Sequence, residues 1–115
     1  MGGPEGVRPT EPRLEGVERR IALRNKALPL AIEKLERLIT TSPLLLDDKS
    51  QSMLAVARRQ LSQARQDAHA GNFGSAEMGV AQAVGITQGL GILSENYNSL
   101  LTDCEKEVSR REQNS

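Results

Sequence analysis

The sequence predicts an all-α protein, and three observations support that prediction. The 115 residues include no Trp, one Tyr and one Phe, so aliphatic side chains must build the core. Residues of high helix propensity, such as Ala, Leu, Gln, Glu and Arg, are abundant. Apolar residues recur in steps of three and four, and no segment alternates with the period of two that strands require. We expect an antiparallel three-helix bundle with a long C-terminal helix, or four helices if helix three breaks near residues 85–91.

The chain is short enough for a single domain, which we place at residues 13–111. Residues 1–12 contain three Pro and three Gly and are predicted to form a disordered tail, and residues 112–115 are predicted to fray. Neither a signal segment nor an apolar run of membrane-spanning length is present, so we expect a cytoplasmic protein that does not bind membranes. Cys104 is the only cysteine, which excludes an internal disulfide and favours a buried thiol.

The first helix is predicted to span residues 13–41. Its apolar stripe is formed by Leu14, Val17, Ile21, Leu28, Ala31, Leu35 and Leu38. Arg24 is the one charged residue in this stripe, and Pro29 predicts a kink or two helices that meet near residues 27–29. The helix should end before Pro43, and the apolar link 44–46 that follows is expected to lie against the core.

The second helix is predicted over residues 48–70, with Asp47 or Asp48 as its N-cap. Its stripe consists of Met53, Leu54, Ala57, Leu61, Ala64 and Ala68. Gly71 is suited to a left-handed C-terminal turn, and Asn72 can cap the next helix at once. Residues 70–73 therefore predict a tight antiparallel helical hairpin, with Phe73 folded over its end.

The third helix is predicted over residues 72–111, because one stripe keeps its register through that whole segment. Its members are Ala76, Val80, Ala83, Thr87, Leu90, Ser94, Tyr97, Leu101, Cys104 and Val108. Gly79, Gly85, Gly89 and Gly91 weaken it, and three of these fall within residues 85–91. One interpretation is a break there, with a last helix over residues 92–111. The other is a continuous helix in which Ala81, Gly85 and Gly89 form a smooth strip that another backbone can approach.

Fifteen basic and fifteen acidic residues give no net charge, which argues against a dedicated nucleic-acid-binding protein. Residues 13–41 carry seven basic and four acidic side chains, whereas residues 72–115 carry three basic and six acidic ones. This opposite charge favours side-by-side packing of the two segments.

No pattern predicts catalysis. His69 is the only histidine, and it has no Cys or carboxylate partner at metal-ligand spacing. No Ser, Thr or Cys is accompanied by a base in a recognisable motif, and the glycines do not match a phosphate-binding loop. We therefore expect no enzyme activity, no cofactor, no metal and no small-molecule ligand.

Two family resemblances fall on the predicted hairpin. The segment with Met53-Leu54, 61–64 (LSQA), 70–72 (AGN) and 82–86 (QAVGI) resembles the middle helical hairpin of FliS-type flagellar export chaperones. That resemblance implies a helical bundle that holds the helical end of flagellin before secretion. The hairpin is also similar to HEPN domains, some of which cleave RNA with an Arg and a following His. Arg65 precedes His69 with only three residues between them, so this spacing departs from that signature.

The sequence therefore predicts a non-enzymatic protein-interaction module, namely an adaptor, an assembly subunit or a secretion-type chaperone. Its contacts, to a protein partner or to a second copy, are assigned to a seam on the third helix. The predicted seam consists of Val80, Ala83, Thr87, Leu90, Ser94, Tyr97 and Leu101. The alternatives are RNA or DNA binding through Arg58, Arg59 and Arg65, and HEPN-like RNA cleavage that needs His69.

Overall fold

The computed structural model describes residues 10–42 and 47–114, with side chains from residue 16 onward. It contains four helices: α1 (Thr10–Thr41), α2 (Asp48–His69), α3 (Phe73–Gly89) and α4 (Tyr97–Gln113). No strand occurs within the described residues. The predicted all-α class is confirmed, in a four-helix arrangement.

Helix α1 is continuous through Pro29, so the predicted meeting of two helices near residues 27–29 is wrong. Pro29 is exposed, whereas Leu28, Ala31 and Ile32 around it have 0% exposure. Because apolar burial on both sides of the proline fixes this helix in the core, it offsets the backbone hydrogen bond that Pro29 removes. The helix begins at Thr10, three residues before the predicted start. The predicted tail, for residues 1–9, and the link 44–46 lie outside the described residues.

The α2–α3 hairpin follows the prediction closely. Asp47 caps α2, because its Oδ1 accepts a hydrogen bond of 2.8 Å from the Ser50 N–H. Gly71 has φ 84°, and the Asn72 N–H donates to the Asp67 carbonyl at 2.8 Å, which closes the helix end. Asn72 stands at the N-cap position of α3, but its side chain makes no capping hydrogen bond.

Side-chain contacts show that α2 and α3 are antiparallel. Gln60 donates from Nε2 to Gln82 Oε1 at 2.8 Å. Closer to the turn, Gly79 packs on α2, where a methyl group added to it would lie 3.1 Å from both Ala64 Cβ and the Gln60 carbonyl oxygen. Gly79 therefore allows the close approach of the two helices, a role that the sequence pattern did not reveal.

The long continuous helix predicted over residues 72–111 is wrong, and the alternative with a break is confirmed. Helix α3 ends at Gly89, and Gly91 has φ 75°. The N–H of Ile92 donates to the Thr87 carbonyl at 3.0 Å, which closes the end of α3 as at Gly71. Helix α4 then begins at Tyr97, later than residue 92, because Asn96 Oδ1 accepts a hydrogen bond of 2.8 Å from the Ser99 N–H.

One core unites all four helices, and α1 packs against α4 and against both helices of the hairpin. Its largest fully buried side chains are Leu28, Ile32, Leu35, Ile39, Leu54, Leu61, Val80, Val84, Thr87, Leu100 and Leu101. The predicted charge pairing is confirmed, because Arg24 pairs with Glu105 at 2.8 Å and Lys34 pairs with Glu95 at 3.0 Å. Lys26 and Glu112 form a third ion pair, which joins α1 to α4.

Candidate interaction site

The predicted seam lies mostly inside the protomer. Val80, Ala83, Thr87 and Leu101 have 0% exposure. Leu90 and Tyr97 are half-buried against the core, and Ser94 is exposed in the connection before α4. The seam residues on α3 thus hold that helix against the rest of the chain, and their role in partner binding stays a prediction.

Thr87 is the one polar residue among the buried core side chains of the described chain. Its hydroxyl donates within α3 to the carbonyls of Ala83, at 2.9 Å, and Val84, at 3.0 Å. Its polar group is therefore satisfied locally and needs no partner across the core.

The opposite face of α3 is exposed and uncharged. We call this face the outer ridge and define it by five exposed residues at steps of four, three, four and four: Gly74, Met78, Ala81, Gly85 and Gly89. Met78 is 65% exposed, more than any other large hydrophobic side chain of the described chain. The only charged residue of α3 is Glu77, which points away from the ridge toward Tyr97 of α4.

The outer ridge is flat apart from Met78. A methyl group added to Gly74, Gly85 or Gly89 would meet no atom within 4 Å. The strip of Ala81, Gly85 and Gly89 that the sequence indicated is therefore open, and no backbone of the described chain approaches it. A second helix could come close to α3 at these positions.

A groove of about 250 Å³ runs beside the ridge, between α2 and α3. It is lined by Gln60, Gln63, Ala64, Asp67, Ser75, Met78, Gly79 and Gln82. Gln63 donates to Asp67 Oδ1 at 3.1 Å, whereas the buried Oε1 of Gln60 receives no hydrogen bond from a described residue. The groove therefore has an apolar wall, several amide groups and one hydrogen-bond acceptor, Gln60 Oε1, that no described residue satisfies. Val56, 37% exposed, shares the α2 face of Gln60 and Gln63 and extends the apolar surface.

A second exposed apolar surface lies on the first half of α1. Val17 and Ile21 are 49% and 55% exposed, although they continue the stripe that is buried from Ala27 onward. Ile21 also lines a cavity of about 410 Å³, together with Arg20, Leu23, Arg24, Asn25, Glu77 and Glu105.

Three of the charged groups that line this larger cavity, Arg24, Glu77 and Glu105, already have hydrogen-bond partners. The hydrogen bond from Arg24 to Glu105 raises the pKa of the Arg24 guanidinium, which therefore keeps its charge. Tyr97 donates from its hydroxyl to Glu77 Oε2 at 3.3 Å. Burial first, and then the Glu77 carboxylate, raises the pKa of Tyr97 to about 12. These pairs connect α1, α3 and α4 and hold the three helices together.

The three arginines of the nucleic-acid alternative do not act as one group. Arg58 and Arg59 are exposed on α2, but Arg65 pairs with Glu36 of α1. The basic surface that the alternative requires is thus divided, and nucleic-acid binding stays a prediction.

His69 lies exposed in the last turn of α2, where its neighbours line a small cavity of about 120 Å³. Phe73 lines the same cavity and packs against the core, as predicted for the hairpin end. Within the described ranges, no three His, Cys, Asp or Glu side chains are grouped closely enough to hold a metal ion. Cys104 is 7% exposed, and burial raises the pKa of its thiol, as expected for a buried cysteine.

Among the helices that the structure describes, none combines the length and the apolar character needed to cross a membrane.

No protein-family model, curated protein or solved structure matches this chain. The resemblances to FliS-type chaperones and to HEPN domains therefore stay predictions.

Proposed function

We propose that this protein is a non-enzymatic protein-interaction module, in the class of adaptors, assembly subunits and secretion-type chaperones, and that it binds a helical segment through the outer ridge. The observation that carries the proposal is the absence of charge from this exposed face. Charged residues make up 26% of the chain, yet Glu77 is the only charged residue among the 17 of α3. Exposed helix faces ordinarily carry charged side chains.

The chemistry of the ridge indicates the chemistry of its partner. Because the ridge has no charge, a partner can cover it without the desolvation cost of a buried ion. Its glycines and Ala81 admit a second helix at short interaxial distance, and the flexible Met78 can adapt to an uneven surface. The occupant we infer is a helix whose contacting face is likewise small and uncharged.

The buried side of α3 supports this use of its exposed side. Val80, Ala83 and Thr87 fix α3 against the core, so the ridge is presented by a well-packed helix. The interaction function and the helix are therefore those that the sequence indicated, but the proposed contact lies on the opposite face of that helix.

Site-specific photo-crosslinking in the natural host tests the proposal. A photoreactive side chain replaces Ala81 on the ridge in one variant and the exposed Thr102 of α4 in a matched control. We expect a discrete protein adduct from position 81 that is absent from position 102 and is lost when Met78→Asp is added. Equal adducts from both positions, or a position-81 adduct that Met78→Asp leaves unchanged, would contradict a role of the ridge.

A further inference from the structure

We infer that the occupant of the outer ridge is a second copy of this chain, packed antiparallel so that Met78 of each copy lies over Gly85 of the other. This inference rests on the proposed function, because it names the partner of the same ridge. It follows from the spacing of the ridge residues, from the charges at the ends of the neighbouring helix and from the size of the face.

The ridge is complementary to itself under a two-fold rotation. A two-fold rotation about an axis perpendicular to α3 reverses the direction of the helix, so residues equally far from the axis face one another. If the axis passes between Ala81 and Gln82, Met78 lies three residues before Ala81 and Gly85 lies three residues after Gln82, so the two positions are equally far from the axis. The one protruding side chain of each copy then meets a position where an added methyl group finds no atom within 4 Å.

The same axis also pairs the outer glycines. Gly74 lies seven residues before Ala81, and Gly89 lies seven residues after Gln82, so these two positions face one another as well. Both are exposed and open. The two backbones can therefore approach closely at both ends, while each Met78 occupies the space beside the centre. A parallel arrangement would instead place Met78 against Met78 and leave the glycines opposite glycines.

Charges on α2 also favour antiparallel packing of the two copies. Along the α2 face that contains Val56, Gln60 and Gln63, Lys49 stands near the start and Asp67 near the end. Antiparallel packing brings the Lys49 end of one copy toward the Asp67 end of the other, and parallel packing would set like charges together. The chain has no net charge, so two copies do not repel one another as whole molecules.

The size of the face sets the strength of the association. A 17-residue helix is roughly 25 Å long and about 10 Å wide. One such face buries less than the roughly 800 Å² per partner of a standard stable interface. We therefore expect a reversible dimer with a dissociation constant of roughly 10 μM to 1 mM.

Sedimentation equilibrium of the purified chain over that concentration range gives the first test. We expect a monomer–dimer equilibrium that Gly85→Ala weakens by at least about tenfold, because its new methyl group fills the space that Met78 needs. Gly85→Ala is a clean variant, since the added group clashes with nothing in the protomer. Ile21→Asp, which alters the other exposed apolar surface, is the matched control and should leave the equilibrium unchanged. A chain that stays monomeric throughout, or one in which only Ile21→Asp dissociates the dimer, overturns the inference.

Disulfide trapping tests the register in a Cys104→Ala background. Ala81→Cys, next to the axis, should link with itself on mild oxidation. Met78→Cys should not link with itself but should link with Gly85→Cys when the two variants are mixed. Rapid self-linking of Met78→Cys would show parallel packing and overturn the antiparallel arrangement.

The two levels of the proposal can fail separately. If the photo-crosslinked adduct at position 81 contains a different protein and the purified chain is monomeric, the interaction function stands and self-association falls. If position 81 yields no adduct that depends on Met78, the ridge is no interface and both fall.

Discussion

Arg24 of α1 donates from its Nε to Glu105 Oε2 of α4 at 2.8 Å, and this pair closes the junction between the first and last helices. Arg24 is the charged residue that interrupts the apolar stripe of α1, and its ion pair with Glu105 explains why a charge is tolerated there. Both side chains are partly buried, with 30% and 20% exposure, so the pair is less screened by solvent than a surface pair. It therefore fixes the position of α4 along α1.

We expect Glu105→Gln to lower the free energy of unfolding by about 1 kcal/mol, because it removes the charge-assisted bond to Arg24. Glu112→Gln is the matched control. It weakens the Lys26 pair, whose side chains are more than half exposed, and should change stability by less than about 0.5 kcal/mol. Urea unfolding followed by circular dichroism measures both. Equal losses in the two variants would show that burial adds nothing to the Arg24–Glu105 pair.

Tyr97 should lose its proton at a higher pH in the folded protein than in the unfolded chain. Its pKa is raised to about 12 by burial and by Glu77, whereas an unfolded tyrosine titrates near about 10. Between these values the folded state holds the proton that the unfolded state has lost. The stabilisation is therefore fully present below about pH 10 and is lost as the pH rises toward 12.

Because Tyr97 is the only tyrosine, phenolate absorbance in the near ultraviolet reports it alone. The folded chain should show a midpoint well above that of the chain in denaturant, and Glu77→Gln should lower the folded midpoint. A folded midpoint near that of free tyrosine would mean that Tyr97 is fully hydrated.

Two asparagines at equivalent positions should behave differently. Asn96 caps α4 with a hydrogen bond to the Ser99 N–H, whereas the side chain of Asn72 makes no such bond at the start of α3. We expect Asn96→Ala to cost about 1 kcal/mol and Asn72→Ala only a few tenths. Thermal or urea unfolding of the two variants provides the comparison, and a larger loss for Asn72→Ala would reverse the assignment of the caps.

Residues with a specific local role were predictable from the sequence. Asp47 as a cap, Gly71 as a left-handed turn and the antiparallel hairpin follow from short-range chemistry. The break after Gly89 was only one of two interpretations, because the apolar stripe of α3 continues in phase into α4 across the non-helical connection. Periodicity records the phase of apolar residues and does not show whether the segment between them is helical.

The choice of face on α3 could not be made from the sequence. Val80, Ala83 and Thr87 form one stripe, and Met78, Ala81 and Gly85 form another on the opposite side. Both stripes are small or apolar, so either could pack against the core. The structure buries the first, because its branched side chains fill the space between α1, α2 and α4, and it leaves the flatter second stripe exposed.

Gly79 and Gly85 lie on different faces of α3, so the same substitution should have opposite effects at the two positions. Gly85→Ala adds a methyl group that meets nothing and replaces a poor helix former, so the protomer should gain about 0.5 to 1 kcal/mol. Gly79→Ala makes the same helix-propensity gain but places its methyl group 3.1 Å from the Gln60 carbonyl oxygen and from Ala64 Cβ. Since a main-chain atom of α2 cannot rotate away, the two helices must separate, and we expect a net loss of about 1 kcal/mol. Urea unfolding at low protein concentration, where only the monomer is present, measures both variants. A gain for Gly79→Ala equal to that for Gly85→Ala would show that α2 and α3 are packed less closely than the structure places them.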